Sequence, residues 1–297
     1  MRHLAVALAA VGGTDSPDDV ESSAVEAVVT TTTSSSATTS GPATMSTGVP
    51  DPDRLVVGPD DLVAYGDAPQ QSGQLRLPTG AGDGPFPVMG FIHGGFWRNA
   101  FNAGLSEPQA ADARSKGYAT WNIEYRRVGD EGGGYPGTLD DIAAAIDALA
   151  RIDAPLDLDR VFVVGHSAGG HLALWVGQRD DPGVVPRLVV GQAPVADLGG
   201  SLNLGRGAVE AFMGGLPDAI PEAYDIADPA RRLPVKVPQL LVHGLRDDIV
   251  PFAAVALYVD AAGDGLDTLV FDDENHFDVI DPAARSWEAT LTYLDGI

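Results

Sequence analysis

The sequence contains no cysteine. Disulfide staples, thiolate nucleophiles and cysteine-based metal sites are therefore excluded. Lysine is almost missing as well: Lys116 and Lys236 are the only two. The 18 basic residues face 42 acidic ones, for a formal net charge of -24. A surface of that sign repels phosphate backbones and argues against nucleic-acid binding. Long apolar runs are lacking too. The longest, residues 4–11, has eight residues, far short of the roughly 20 needed to cross a bilayer as a helix, so no transmembrane segment is expected. Neither a phosphate-binding glycine loop nor a cluster of metal ligands stands out, so neither cofactor nor metal is expected.

What the chain does have is 297 residues, 44% of them hydrophobic, enough for one sizeable core. The first fifty residues differ from the rest. "MRHLAVALAAVGG" reads as a short secretory signal, with a basic start, an apolar stretch and small residues. Residues 30–47, "TTTTSSSATTSGPATMST", are low-complexity Thr/Ser that cannot bury enough apolar surface to offset ordering. Residues 1–50 are thus expected to be a signal-like start and disordered tail, residues 51–297 a folded domain, and the protein to be exported to the periplasm or the extracellular space, with a cytoplasmic location as the alternative.

From Pro50 onward, apolar runs alternate with helical patterns. "LVAYG" (62–66) and "GQLRLP" (73–78) predict early antiparallel strands. Strands are also predicted at 86–95, 118–126, 160–166, 187–194, 238–244 and 267–273. Helices are predicted at 107–117, 138–152 with Thr138 as N-cap, 168–179, 252–263 and 286–295. Continuously apolar strands alternating with helices imply an α/β fold with a mostly parallel sheet covered on both faces. In such sheets ligands gather at the carboxyl ends of the strands.

One strand end stands out. "VFVVGHSAGGHLAL" (161–174) runs a buried strand into Gly165-His166-Ser167-Ala168-Gly169 and then a helix. A G-x-S-x-G turn in that context lifts a serine hydroxyl above the sheet. The hydroxyl needs a base, and the base needs an orienting carboxylate, in the chain order serine, acid, histidine. Of six histidines, His276 in "DDENHFDVIDP" is the one that follows the last predicted strand. The acid should follow the penultimate strand, where "LLVHGLRDDIVP" offers Asp247 and Asp248; Asp247 is favoured, and Asp272 and Asp273 are less attractive for lying within or at the end of the last strand. "FIHGGFW" places Gly94, Gly95 and Phe96 after the third apolar strand, where their amides, with that of Ala168, can receive a developing oxyanion.

These motifs, "HGGFW", "GHSAGG", "HGLRDDIVP" and "HFD", resemble the α/β-hydrolase superfamily over about residues 55–297. They look most like its esterase branch, which includes kynurenine formamidases, feruloyl-esterase-like enzymes and hormone-sensitive-lipase relatives. The resemblance implies the α/β-hydrolase fold, with Ser167 as nucleophile, Asp247 as acid, His276 as base, and Gly95, Phe96 and Ala168 as oxyanion donors. Residues 197–234 interrupt the strand–helix rhythm and are expected to form a small helical lid. Phe212, Met213 and Tyr224 within it, and Trp97 beside the glycines, are candidate pocket residues, with packing as the competing role. The expected activity is hydrolysis of a small-molecule carboxylic ester. The alternatives are an arylformamidase-like amidase, a prolyl-oligopeptidase-type peptidase and a non-catalytic binding module.

Overall fold

Strands that are apolar on both faces must be covered on both, and the fold meets that demand with an eight-stranded sheet. The computed structural model describes residues 55–297 except 59 and 81. The signal-like start and Thr/Ser tail expected at 1–50 lie outside the described residues. The strands are β1 (Asp60–Ala64), β2 (Ser72–Arg76), β3 (Phe86–Ile92), β4 (Ala119–Ile123), β5 (Leu156–His166), β6 (Leu188–Gln192), β7 (Gln239–Gly244) and β8 (Leu266–Phe271). They pair in the order β8-β7-β6-β5-β3-β4-β2-β1. β1 and β2 are antiparallel, as is β2 with β4; every other neighbour is parallel. The inner strands β4, β6 and β7 are buried at every position, whereas β1 and β2 alternate in burial, as strands with one wet face do. A separate two-residue parallel pair joins Leu55–Val56 to Ile152–Asp153.

The helices are α1 (Glu107–Ser115), α2 (Gly137–Asp147), α3 (Ala168–Val176), α4 (Ala208–Met213), α5 (Pro221–Ala227), α6 (Ala253–Ala262) and α7 (Arg285–Asp295). Ala110 and Ala113 of α1 and Trp287, Leu291 and Leu294 of α7 pack one sheet face. Ile142 of α2, Leu172 of α3 and Val255 of α6 belong to the core on the other. This is the doubly covered, mostly parallel architecture of the α/β hydrolases.

Several boundaries differ from the sequence pattern, each for a local reason. β5 starts at Leu156 rather than 160, because the polar stretch before Val161 still pairs with β3 across a register shift at Pro87/Val88. α3 ends at Val176, with Gly177 capping it, three residues early. Thr138 does not cap α2. It sits inside the first turn, after Pro136, where its hydroxyl donates to the Arg126 carbonyl and accepts from the Gly134 amide. The "GGGYPG" stretch (132–137) is held by that contact and by the Tyr135 amide, which donates to the Phe212 carbonyl.

Residues 197–234 form α4, α5 and three short 3-10 turns between β6 and β7. Asp228 clasps the two ends of the segment: it accepts from the amides of Leu198 and Gly199 at 3.0 and 3.1 Å and from Ala230 at 3.2 Å. Burial pushes its carboxyl up to about 6 despite those donors. At the other rim of the sheet, a cavity of about 230 Å3 opens by Gln239, Leu266 and Tyr293. It lies at the strands' amino ends, away from the residues discussed next.

Candidate active site

Ser167 follows the last residue of β5 and precedes the first of α3. Its φ of 56° and ψ of -117° put a non-glycine residue in sparsely populated backbone space. The residues two places to either side must be glycine for steric reasons. A Cβ on Gly165 would collide with the Gly169 carbonyl, and one on Gly169 with the Ile92 carbonyl of β3. The turn is therefore wedged between two main chains. Its own main chain is tied by the Ser167 amide to Gln192 of β6 at 2.8 Å. Ala168 is the first residue of α3, so its amide has no intrahelical acceptor.

The "HGGFW" loop backs onto the same turn. A Cβ on Gly94 would lie 2.8 Å from the His166 carbonyl oxygen and 3.1 Å from the Ser167 Cβ, so the loop approaches at backbone distance. Gly95, Phe96 and Trp97 have φ of 114°, 56° and 54°. Two successive non-glycine residues in left-handed space cost about 1–2 kcal/mol each and need firm support. Part of it comes from Arg98, whose amide donates to the Gly95 carbonyl at 3.0 Å and whose guanidinium reaches Gly205 at 3.0 Å. More comes from a buried group beneath. The Tyr125 hydroxyl donates to the His93 carbonyl at 2.8 Å, and the His93 ring stacks on Tyr125 and meets Glu124 at 3.1 Å. Burial alone would raise the Glu124 carboxyl, but the contact with His93, the Ala103 amide and Arg127 hold it below the usual carboxylate range.

Asp247 and His276 come together from the exits of β7 and β8. Nδ1 of His276 lies 2.7 Å from Oδ2 of Asp247, and both residues are buried, His276 at 3% exposure. Oδ1 of Asp247 accepts from the amides of Ile249 and Val250 at 2.9 and 2.8 Å, which fixes the carboxylate plane. Burial pushes the Asp247 carboxyl up, but the His276 bond and these amides outweigh it and hold it below its ordinary value. An ionised acid only accepts, so His276 carries a proton on Nδ1, and in the neutral tautomer that this bond selects Nε2 is the acceptor. The adjacent Asp248 is exposed. Asp272 and Asp273 lie past the end of β8, and both are within 4.0 Å of Arg285, at 3.8 Å for Asp272.

The four candidate pocket residues take packing positions. Trp97, Phe212, Met213 and Tyr224 are all buried. Trp97 stacks on Phe212 with ring centroids 4.7 Å apart and donates to Nδ1 of His171 at 3.2 Å. His171 in turn donates from Nε2 to the Ala227 carbonyl at 2.9 Å. Tyr224 donates to the Gly215 carbonyl at 3.1 Å. Aromatic size at these positions serves to dock the helical segment onto α3 and the glycine loop. Exposed apolar surface beside the site comes instead from Phe101, packed against Gly95 and 36% exposed, and Phe277, next to His276 and 57% exposed.

The profile of the BD-FAE family matches residues 74–260. The chain belongs to this family. Its match takes in the strained serine turn and the Asp247 loop. Among curated proteins, Esterase LipC of Mycobacterium tuberculosis (strain ATCC 25618 / H37Rv) is 27% identical over 222 residues, 67% of this chain and 53% of LipC. The chain thus spans about half the length of that relative. Among solved structures, esterase B from Lactobacillus rhamnosis superposes with a TM-score of 0.67 at 21% identity, covering 82% of this chain and 87% of that one. The thermophilic esterase Est2 from Thermogutta terrifontis gives 0.64 at 18%, covering 80% and 91%. A bifunctional GH43-CE protein from Bacteroides eggerthii gives 0.68 at 18%, covering 80% of this chain and 35% of its own. At these identities the structural likeness speaks for the fold. Together with the family match, it puts this BD-FAE protein in the esterase branch of the α/β-hydrolase superfamily.

Besides His171, which docks the helical segment, sequence reasoning passed over three other buried histidines of this BD-FAE chain. His93 supports the glycine loop, as described. His243 donates from Nε2 to the Val250 carbonyl at 2.9 Å and so steadies the Asp247 loop. His166 contacts the His276 loop. Chain order, which selects a base, carries no information about such bracing; adjacency to a motif residue, as in "IHGG", "GHS" and "VHG", is the one signal they share. Among the described residues, no group of three or more His, Asp or Glu side chains could hold a metal ion, and no helix is long and apolar enough to cross a membrane.

Proposed function

We propose that the protein is a serine hydrolase that cleaves small carboxylic esters through an acyl-enzyme. Ser167 Oγ attacks the ester carbonyl while Nε2 of His276 takes its proton. The tetrahedral oxyanion is received by the amides of Gly95, Phe96 and Ala168. His276 then passes the proton to the departing alcohol, and a water activated by the same imidazole releases the acid and regenerates Ser167. Asp247 orients the imidazole and balances its charge when protonated. The 2.7 Å buried contact between Nδ1 of His276 and Asp247 carries this reading, because it leaves the opposite nitrogen free to act as a base. The φ of 56° at Ser167 supports it from the nucleophile's side. The word esterase in the name of LipC, a relative over 67% of this chain, favours an ester as the substrate.

The exposed rings of Phe101 and Phe277 suit an apolar acyl or alkoxy group, and the helical segment at 197–234 serves as the lid. Ser167→Ala is expected to lower p-nitrophenyl acetate turnover by at least about a thousandfold and to abolish labelling by a fluorophosphonate probe. A native protein that takes no label, or a Ser167→Ala variant with undiminished turnover, would remove the nucleophile from the account. Comparison with N-formylkynurenine distinguishes ester from formamide; faster turnover of the formamide would replace the ester reading with an amidase.

A further inference from the structure

His166 stands immediately before Ser167, and its ring reaches across to the loop that bears the base. Nε2 of His166 lies 2.9 Å from the His276 carbonyl oxygen, 110 positions along the chain. The two rings are 4.5 Å apart, inclined at 50°, and His166 is buried. A carbonyl oxygen only accepts, so His166 donates from Nε2. On its other side, the same loop is held by the Arg246 amide, which donates to the Glu274 carbonyl at 2.9 Å. The other bonds of the loop are the contact of the His276 ring with Asp247, the Leu245 amide to the Phe271 carbonyl, the Ser286 amide to the Glu274 carboxylate, the Gln192 side-chain amide to the Val279 carbonyl, and local turns such as the Asn275 amide to Asp278 and the Phe277 amide to Asn275. The loop is therefore tied to the acid's loop by Leu245, Arg246 and Asp247, and the His276 main chain is tied to the nucleophile's turn by His166.

We infer that His166 is a positioning residue that latches the main chain of His276 to the serine turn, setting the separation of base and nucleophile. The inference rests on the reading of Ser167 and His276 as nucleophile and base. Asp247 fixes how the His276 ring is turned; His166 fixes where its backbone stands. Because His166 shares a peptide bond with Ser167, any shift of the serine turn carries the latch with it. The ring is also suited to remain neutral while its neighbour gains a proton. Burial, reinforced by the nearness of His276, pushes its pKa down to about 3, against a smaller upward pull from the His276 carbonyl and Asp247. A second cation beside the imidazolium would oppose the proton transfer.

The test compares His166→Gln, whose amide nitrogen stands as many bonds from Cα as Nε2 does, with His166→Asn, one bond short, and His166→Leu, which has no donor. Steady-state kinetics on p-nitrophenyl acetate are read beside thermal melts. The latch requires Asn and Leu to lose about ten- to a hundredfold in kcat with KM within about twofold, the scale expected when a reacting group is misplaced. It requires Gln to stay within about threefold of the wild type, less than the tenfold that corresponds to about 1.4 kcal/mol. A folded Asn or Leu variant at wild-type kcat overturns the inference, and so does a folded Gln variant slowed tenfold or more. Should Asn and Leu both fail to fold, the Gln variant alone decides between these outcomes. Ser167→Ala, run in parallel, separates the two levels: retained turnover there brings down the active-site reading itself, whereas an inactive Ser167→Ala beside a fast Asn variant removes the latch alone.

Discussion

At the scale of single residues, adjacency in sequence conceals opposite environments. Asp247 is buried, with both oxygens occupied, while Asp248 is exposed. Asp247→Asn is expected to reduce kcat by about a thousandfold or more, because an amide can favour the wrong tautomer of His276; Asp248→Asn should change it by less than about threefold. Rates on p-nitrophenyl acetate decide, and the reverse ranking would reassign the acid. The same carboxylate contributes to stability with a definite sign. Its folded pKa lies below the unfolded value of about 4, so the contribution is present above pH 4 and is lost as pH falls through the folded pKa. Thermal melts at pH 7 and pH 3 should therefore show a larger acid loss in the wild type than in Asp247→Asn. That Asp247 would be the carboxylate facing His276 was legible because chain order and strand position narrow the choice to two residues. The roles of His166 and His243 were not, because each depends on a carbonyl that only the folded chain brings near.

At the scale of elements, alternation of apolar runs and amphipathic stretches was enough to read the parallel sheet and the placement of Ser167 at a strand end. It failed where polarity and pairing part company. Asp157 and Asp159 keep 156–159 out of the strand predicted at 160–166, yet Leu156 and Asp157 pair with Phe86 and Pro87 and extend β5. It does not decide between roles for the buried Phe212 and Tyr224, since an apolar residue in a covering segment has the same signature whether it lines a pocket or docks the segment. The turn between β5 and α3 is the junction most sensitive to added volume. Gly169→Ala would drive a methyl group into the Ile92 carbonyl, whereas Gly80→Ala meets no atom within 4 Å and pays only for its φ of 77°. Gly169→Ala should thus lower the melting temperature by several degrees more than Gly80→Ala, with activity falling in step, since overpacking costs about 1–3 kcal/mol and a lone left-handed alanine about 1–2. Equal melting temperatures would show that the turn has slack that the contacts do not suggest.

At the scale of the whole molecule, the three proposed catalytic side chains come from strands of unequal security. Ser167 leaves β5, flanked by β3 and β6 and close to the middle of the sheet, and Asp247 leaves β7, which also has two neighbours. His276 follows β8, an edge strand bonded to β7 alone and largely open to solvent on alternate positions. Edges with few partners open at lower free energy than central strands. In a urea series, hydrolysis should therefore disappear at a lower concentration than the change in tryptophan fluorescence, whose four sources, Trp97, Trp121, Trp175 and Trp287, are all buried. Coincident midpoints would show that the margin strand is as secure as the centre. If the two separate, the proposed hydrolase carries its own early-warning gauge: turnover would report the fraying of one border of the sheet while the remainder of the molecule stays intact.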